Sequence, residues 1–384
     1  MSLQGLVLST DEQSHQAGCL AFLQSEINIC GPLAFHDYMN HVLYHSEWGY
    51  YRSGKIKIGE AGDFTTAPEI SDLFSFCLAR QCMEIRQGVG DHYSILECGA
   101  GRGTMALSIL EYLDKNDQLP KHYYILELSG HMQALQKELI FSRHPEWVDR
   151  VQWLSAWPQA QSFEGVVLAN ELFDAMPVHL FQYDGADFLQ AHVGLEDRRL
   201  SMSWPRATPA LESSLESLQV NFSKGYQSEW NPSIDGWFEA LASVLKQGAL
   251  IAMDYGFERS VYYHPDRVMG TLMCHHKHQA HPDPLILPGC QDITSHVDFT
   301  HLSQAAQKVG WDLQGFVSQA NGLINAGLMD LISNDVNVSW QQKQSVNRLV
   351  HPGEMGELFS WIGFSKGLDN QLSCFSQADR SHRL

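Results

Sequence analysis

Positive charge is scarce in this chain. Its 25 Lys and Arg stand against 44 Asp and Glu, a formal net charge of −19 at pH 7. A nucleic-acid groove needs clustered Lys and Arg. No such cluster occurs, which argues against a nucleic-acid partner and favours a neutral or basic one. Paired cysteines are also missing. Cys19, Cys30, Cys77, Cys82, Cys98, Cys274, Cys290 and Cys374 show no C-x-x-C spacing. They lie mostly among apolar residues, the pattern of reduced thiols acting as small hydrophobes. No run of 18 apolar residues occurs, so no membrane insertion is expected. The N-terminal MSLQGLVLSTDEQSHQ has no basic n-region, and its apolar stretch is too short for a signal peptide. A cytoplasmic protein is the expectation. No internal repeat is evident.

What remains is an ordinary globular composition, 44% hydrophobic and 18% charged, over 384 residues. That length suits one elaborated domain or two. Disorder is expected only at residues 1 to about 15 and in the polar tail 376–384, SQADRSHRL.

Residues 15–48 read as helical, with a break at Gly31-Pro32. One apolar set is Leu20, Phe22, Leu23 and Ile27; the next is Phe35, Tyr38, Met39 and Val42. A glycine-rich loop follows, and helix returns over 70–88. From residue 93 strand and helix alternate: YSILEC, helix 104–114, HYYILEL, helix 130–141, then the strands VQWL and GVVLAN. Such alternation predicts a mostly parallel sheet, with short apolar runs buried on both faces. It stops at about residue 178. There three short strands, with Asp184-Gly185 as a hairpin turn, read as an antiparallel insertion. After helix 233–246 and the strand GALIAMDYG comes a long irregular segment, 257–298, rich in His, Pro and Gly. Structureless segments of that length inside a domain are usually functional. The division expected is a helical cap over 1–90, a Rossmann-like domain over 91–375 with a β-rich insertion at about 178–232, and the tail.

The stretch ILECGAGRGTMALSIL (95–110) joins a strand to a helix through Gly99, Gly101 and Gly103. A dinucleotide fingerprint, G-x-G-x-x-G, has its third glycine one position later. The shorter spacing, behind the acid Glu97, suits a ligand without pyrophosphate, and S-adenosylmethionine is such a ligand. The missing Cβ atoms permit close backbone approach. Glu127, at the end of the next strand, can accept both ribose hydroxyls. Trp153 and Leu154 are placed to wall the adenine. Asn170 and Glu171 end the fourth strand, where the sulfonium and the substrate should meet.

The stretches GDFTTAPEIS (62–71), LECGAGRGT (96–104), ANELFDAMPVH (169–179), MDYG (253–256), GTLMC (270–274), DPLILPGCQDITSHVDFT (283–300) and HPGEMGELF (351–359) occur in one order. Together they resemble the MidA-like family of S-adenosylmethionine-dependent methyltransferases over roughly residues 31–365. That family includes a mitochondrial assembly factor that methylates an arginine of a respiratory complex I subunit. The resemblance implies a class I Rossmann-like fold, S-adenosylmethionine as cofactor and a protein substrate with an exposed arginine. The glycine loop departs from the family's usual L-G-P-G-R-G-T, with Cys98 and Ala100 in place of Leu and Pro. The changes are small and leave the loop chemistry intact.

Methyl transfer to a guanidinium needs a group that holds the cation and takes its proton, which carboxylates do. Glu171 and Asp174 stand three apart and would share a side if the segment turned helically. The alternative is that Asp174 caps a helix, since Ala175-Met176-Pro177 breaks soon after. Asp63 lies in a loop that could fold over the cofactor with Thr65, Thr66 and Glu69; a helix start with Pro68 near its first position fits as well. His275, His276, His278 and His281 invite a zinc reading. A long loop without a Cys pair offers no scaffold for one, and no metal site is expected. His351, Glu354 and Glu357 line either a substrate channel or a structural turn. The expectation is an S-adenosylmethionine-dependent protein arginine methyltransferase. A non-catalytic assembly factor and a small-molecule methyltransferase are the rivals, and the oligomeric state, a homodimer included, is left open.

Overall fold

In a computed structural model, residues 8–52, 65–334 and 340–384 are described. They form two compact units.

The larger unit holds residues 65–173, 234–259 and 297–384. The described residues give its central sheet eight strands. They are β1 (Ser94–Cys98), β2 (Tyr123–Leu126), β3 (Val151–Leu154), β4 (Phe163–Asn170), β5 (Leu245–Phe257), β6 (Val297–Asp298), β7 (Asp312–Ser318) and β8 (Phe359–Lys366). Their order is β7-β8-β5-β4-β1-β2-β3, with β6 beside the end of β5. β1 to β5 are mutually parallel, whereas β8 runs antiparallel to both β5 and β7. All of β1, and residues 165–169 of β4, are buried. This is why SILEC and GVVLA read as continuous apolar runs instead of alternating ones.

Helices cover the sheet. Thr104–Lys115 buries Met105, Ala106, Ile109, Leu110 and Leu113, and Asp72–Val89 buries Leu73, Phe74, Cys77, Leu78, Cys82 and Ile85 in the same core. Both sets follow helical spacing. The boundary expected at residue 90 therefore falls elsewhere: residues 65–89 cluster with the sheet because their apolar stripe is part of its core. The tail 376–384 is ordered instead of loose. Arg380 donates its N–H to the Phe316 carbonyl (2.7 Å), and Asp379 accepts the Phe316 N–H (2.9 Å). These bonds cover the outer edge of β7, an edge that would otherwise offer unpaired backbone groups.

The smaller unit holds residues 1–64, 174–233 and 260–296. Helices Thr10–Cys30 and Phe35–Tyr44 bury Cys19, Leu23, Ile27, Phe35, Tyr38, Met39 and Val42 against Val178, Val193, Cys274 and Ile293. Three antiparallel sheets of three short strands each complete the unit among the described residues. The insertion holds four strands over 179–203, not three: His179–Tyr183, Phe188–Gln190, His192–Glu196 and Arg199–Ser203. Asp184 makes its hairpin by accepting the N–H groups of Ala186 and Asp187.

The segment 257–298 is not structureless. It contains the helix Arg259–Tyr262 and, in this unit, the strands Met273–His276, Gln279–His281 and Asp292–Thr294. The first two are joined by Lys277 and His278, both at positive φ (48° and 61°). That is the geometry of a two-residue hairpin that Asn-Gly would have announced.

Candidate functional site

The order of the large sheet has a switch point. From β1 the chain moves outward to β2 and β3, then returns to β4 on the other side of β1. Register pairs Cys98, the last residue of β1, with both Leu126 and Ala169. Ligands of open parallel sheets bind outside the carboxyl ends of the strands at such a point. Two segments leave the sheet there, the glycine turn 99–103 and the segment that begins at Asn170.

Gly99, Gly101 and Gly103 all have positive φ, 72°, 51° and 88°, the region that favours glycine. The Gly99 N–H donates to the Leu126 carbonyl (3.0 Å), and the Gly103 N–H closes the turn on the Ala100 carbonyl (2.8 Å). Thr104 then opens the helix, its hydroxyl donating to Glu69 Oε1 (2.5 Å). Glu69 itself sits in the first turn of the short helix Ala67–Ile70, which begins around Pro68 as the helix-start pattern predicts. Asp63 lies outside the described residues.

Glu127 leaves β2 with its N–H on the Leu154 carbonyl (3.0 Å). Its Oε1 accepts the Ser129 N–H (2.8 Å), and Ser129 caps the helix Gly130–Arg143. From that helix comes Gln136, a fully buried amide that no motif announced. Its Nε2 donates to the Gly101 carbonyl (2.7 Å) and to Glu127 Oε2 (3.4 Å). Its Oε1 accepts the Trp153 indole N–H (2.8 Å). The half-buried Trp153 ring packs edge-on against Phe141, with the Lys137 ammonium 5.1 Å from its centroid. One glutamine thus joins three of the residues singled out in the sequence. Leu154 ends β3 beside them, half-buried.

On the other side of the switch point, Asn170 ends β4. Its Nδ2 donates to Glu171 Oε1 (3.3 Å), and its Oδ1 is buried without a hydrogen-bond partner among the described residues. Glu171 has a φ of +50°, a strained setting for a non-glycine residue. Its N–H donates to the Met253 carbonyl (2.8 Å). The fully buried Asp254 then accepts the Phe173 N–H and the Tyr255 N–H, each at 2.9 Å. This clamp explains the motif MDYG, whose aspartate had no assigned task. The helical turn expected at 171–174 does not form, because the left-handed Glu171 and the Asp254 clamp turn the backbone away from it. Asp174 therefore neither shares a helix face with Glu171 nor caps a helix.

Asp174 belongs to the smaller unit, where its side chain is buried and its carbonyl accepts the Ser295 N–H (3.0 Å). In the same unit Tyr44 donates to the Ala175 carbonyl (2.9 Å) and Tyr51 to Asp292 Oδ1 (2.6 Å). Burial, and then the charges of Asp292, Tyr44 and Asp174, push the Tyr51 phenol well above its usual range.

The acid ahead of the glycines, Glu97, is buried in β1. Burial pushes its carboxyl up to about 7, against the opposing effect of the Tyr123 hydroxyl it accepts at 2.6 Å; the nearby Glu127 raises it further.

The other sequence-level candidates have local partners of their own. His275, His276, His278 and His281 lie on the hairpin of the smaller unit, and the described residues include no group of three or more His, Cys, Asp or Glu placed to hold a metal ion. His351 is the pivot of a turn: its Nδ1 accepts the Gly353 N–H, and its carbonyl accepts from Glu354 and Gly356. Glu354 and Glu357 are exposed and lie by Arg348 and Arg380. The motif GTLMC is held by a residue outside every motif. The buried Glu229 accepts the N–H groups of Thr271 and Leu272 and the hydroxyls of Thr271 and Tyr262.

Comparison with known proteins agrees with this geometry. Residues 77–317 match the model of a family described as "Putative S-adenosyl-L-methionine-dependent methyltransferase". A Burkholderia thailandensis protein crystallised with S-adenosyl-homocysteine is 36% identical, over 98% of this chain and 99% of that one, with a TM-score of 0.92. Curated relatives are named "Protein arginine methyltransferase NDUFAF7, mitochondrial". The rat protein is 27% identical over 91% of this chain and 85% of its own, and the human protein 28% identical over 89% and 82%. With its glycine turn at the switch point of a 3-2-1-4-5 parallel array, the chain belongs to the S-adenosyl-L-methionine-dependent methyltransferase family.

Proposed function

We propose that the protein transfers a methyl group to an arginine side chain of a protein partner. When bound, S-adenosylmethionine supplies the methyl group on a sulfonium. The residues present fit it. The buried Asn170 Oδ1 is an acceptor awaiting a donor at the switch point, and the glycine turn runs through three positive-φ positions that keep side chains off its backbone. Gly99, Gly101 and Gly103 would cradle the amino-acid end. Glu127 would accept the ribose hydroxyls, Trp153 and Leu154 would face the adenine, and Asn170 would accept from the ammonium group.

The observation that carries the substrate reading is Glu171, a carboxylate held in a strained backbone where β4 ends at the switch point. Strain of this kind collects at functional sites. Glu171 binds the guanidinium through both oxygens and takes up its proton as the nitrogen attacks. Asp174, joined to it through Leu172 and Phe173, is the second acid. Asp63 is the reserve. The names of the curated relatives support arginine as the target, and the net charge of −19 favours a basic partner. A subunit of a respiratory complex, brought in by the family resemblance, is the first substrate to try. Eight free cysteines support the cytoplasm as the compartment. The deciding experiment is mass spectrometry of proteins from a deletion strain. An arginine methylation lost there and restored by the gene supports the proposal, and an unchanged arginine methylome overturns it.

A further inference from the structure

We propose that Gln136 is a positioning residue for cofactor binding, locking Glu127, Trp153 and the glycine turn into one preformed surface. This rests on the cofactor assignment of Glu127 and Trp153 made above. The side-chain amide has two N–H donors and one oxygen, and all of them are engaged. The N–H groups meet the Gly101 carbonyl and Glu127 Oε2, which can only accept. The oxygen meets the Trp153 indole N–H, which can only donate. Rotating the amide by half a turn would set donor against donor and acceptor against acceptors, so only one orientation satisfies the site.

Packing adds a second constraint. A Cβ at Gly103 would lie 3.2 Å from Gln136 Cγ, so the side chain fills the space beside the third glycine. Gln136 is fully buried and comes from the helix that Ser129 caps, whose N–H is bonded to Glu127. The Glu127 carboxylate is thus held from both oxygens, by Ser129 and by Gln136. A ligand meeting such a surface orders fewer groups on binding than one meeting a mobile carboxylate and a free indole.

Calorimetry of the full chain with S-adenosylhomocysteine tests this, using Gln136→Met, Trp153→Phe and the double variant. Gln136→Met keeps length and loses all three hydrogen bonds. S-adenosylhomocysteine should bind about 10–100-fold more weakly, and in turnover KM for the cofactor should rise far more than kcat falls. Trp153→Phe keeps a ring but removes the N–H that orients the amide, and about 3–10-fold weaker binding is expected. Because both changes break one chain of contacts, the double variant should bind within about twofold of Gln136→Met. Losses that multiply, or wild-type affinity in either single variant, overturn the proposal. If Gln136→Met does not fold, Trp153→Phe decides alone. Glu127→Ala separates this from the site itself. Unchanged affinity there removes the cofactor assignment; lost affinity there with full affinity in Gln136→Met removes only the positioning role.

Discussion

The Tyr123 hydroxyl donates to Glu97 Oε2 at 2.6 Å inside the sheet, with both side chains buried. Burial raises the Glu97 carboxyl from 4.5 to about 7, so the folded protein holds this proton more tightly than the unfolded chain does. Its contribution is fully present below about pH 4.5 and is lost as pH rises through 7. The loss amounts to about 3 kcal/mol at most. Urea unfolding at pH 5.5 and pH 8 should show lower stability at the higher pH from this residue. Glu97→Gln should flatten that difference; an unaltered slope in the variant would mean that Glu97 is ionised throughout.

Gly101→Val should abolish cofactor binding while the fold survives. At a φ of +51° a β-branched side chain is strained and stands where the ligand must approach. Calorimetry with S-adenosylhomocysteine should give no heat of binding, with a circular dichroism spectrum like the parent's. Glu127→Ala should weaken binding by roughly 1.5–3 kcal/mol through the loss of charge-assisted hydrogen bonds.

Glu171→Gln and Asp174→Asn keep size and lose charge. Each should leave cofactor affinity nearly intact and slow methylation of the true substrate by about 10²–10⁴-fold if proton transfer limits the rate. Rate assays at saturating cofactor are the measurement. Parent rates in both variants would retire the acid pair.

Gly270→Ala should destabilise the smaller unit. The glycine has a φ of +70°, and a Cβ there would come within 2.2 Å of Glu229 Oε1. The new methyl must displace a carboxylate that holds Thr271 and Leu272. A loss of about 2–4 kcal/mol is expected, because a buried charge loses its partners. Thermal unfolding is the check, and a shift under about 2 °C would contradict the clamp.

The parallel sheet was legible because strands alternate with helices and both-face burial turns SILEC and GVVLA into apolar runs, and the glycine turn because its positive φ values demand glycine. Gln136 was not legible. It lies in an ordinary helical pattern, and its value comes from Gly101, Glu127 and Trp153, residues 35, 9 and 17 positions away. The helical turn expected after Asn170 failed for a similar reason: Asp254, far along the chain, claims the Phe173 N–H. The hairpin at Lys277-His278 escaped notice because its residues are not those that usually take positive φ. For Gln136 and for the segment after Asn170, partners elsewhere in the chain decided what the local signal did not.

The place of β8 has a consequence for biosynthesis. The strand lies between β5 and β7, yet it is Phe359–Lys366, the last strand of the sheet in the chain. Until it leaves the ribosome, residues 248–255 of β5 lack the neighbour they pair with in the finished sheet, and β7 has no strand to join. A nascent or prematurely terminated chain ending before residue 359 would therefore expose an apolar strand edge, a ready template for aggregation. Completion of this sheet waits on the synthesis of residues 359–366, and the interval before they emerge is when a chaperone would matter most.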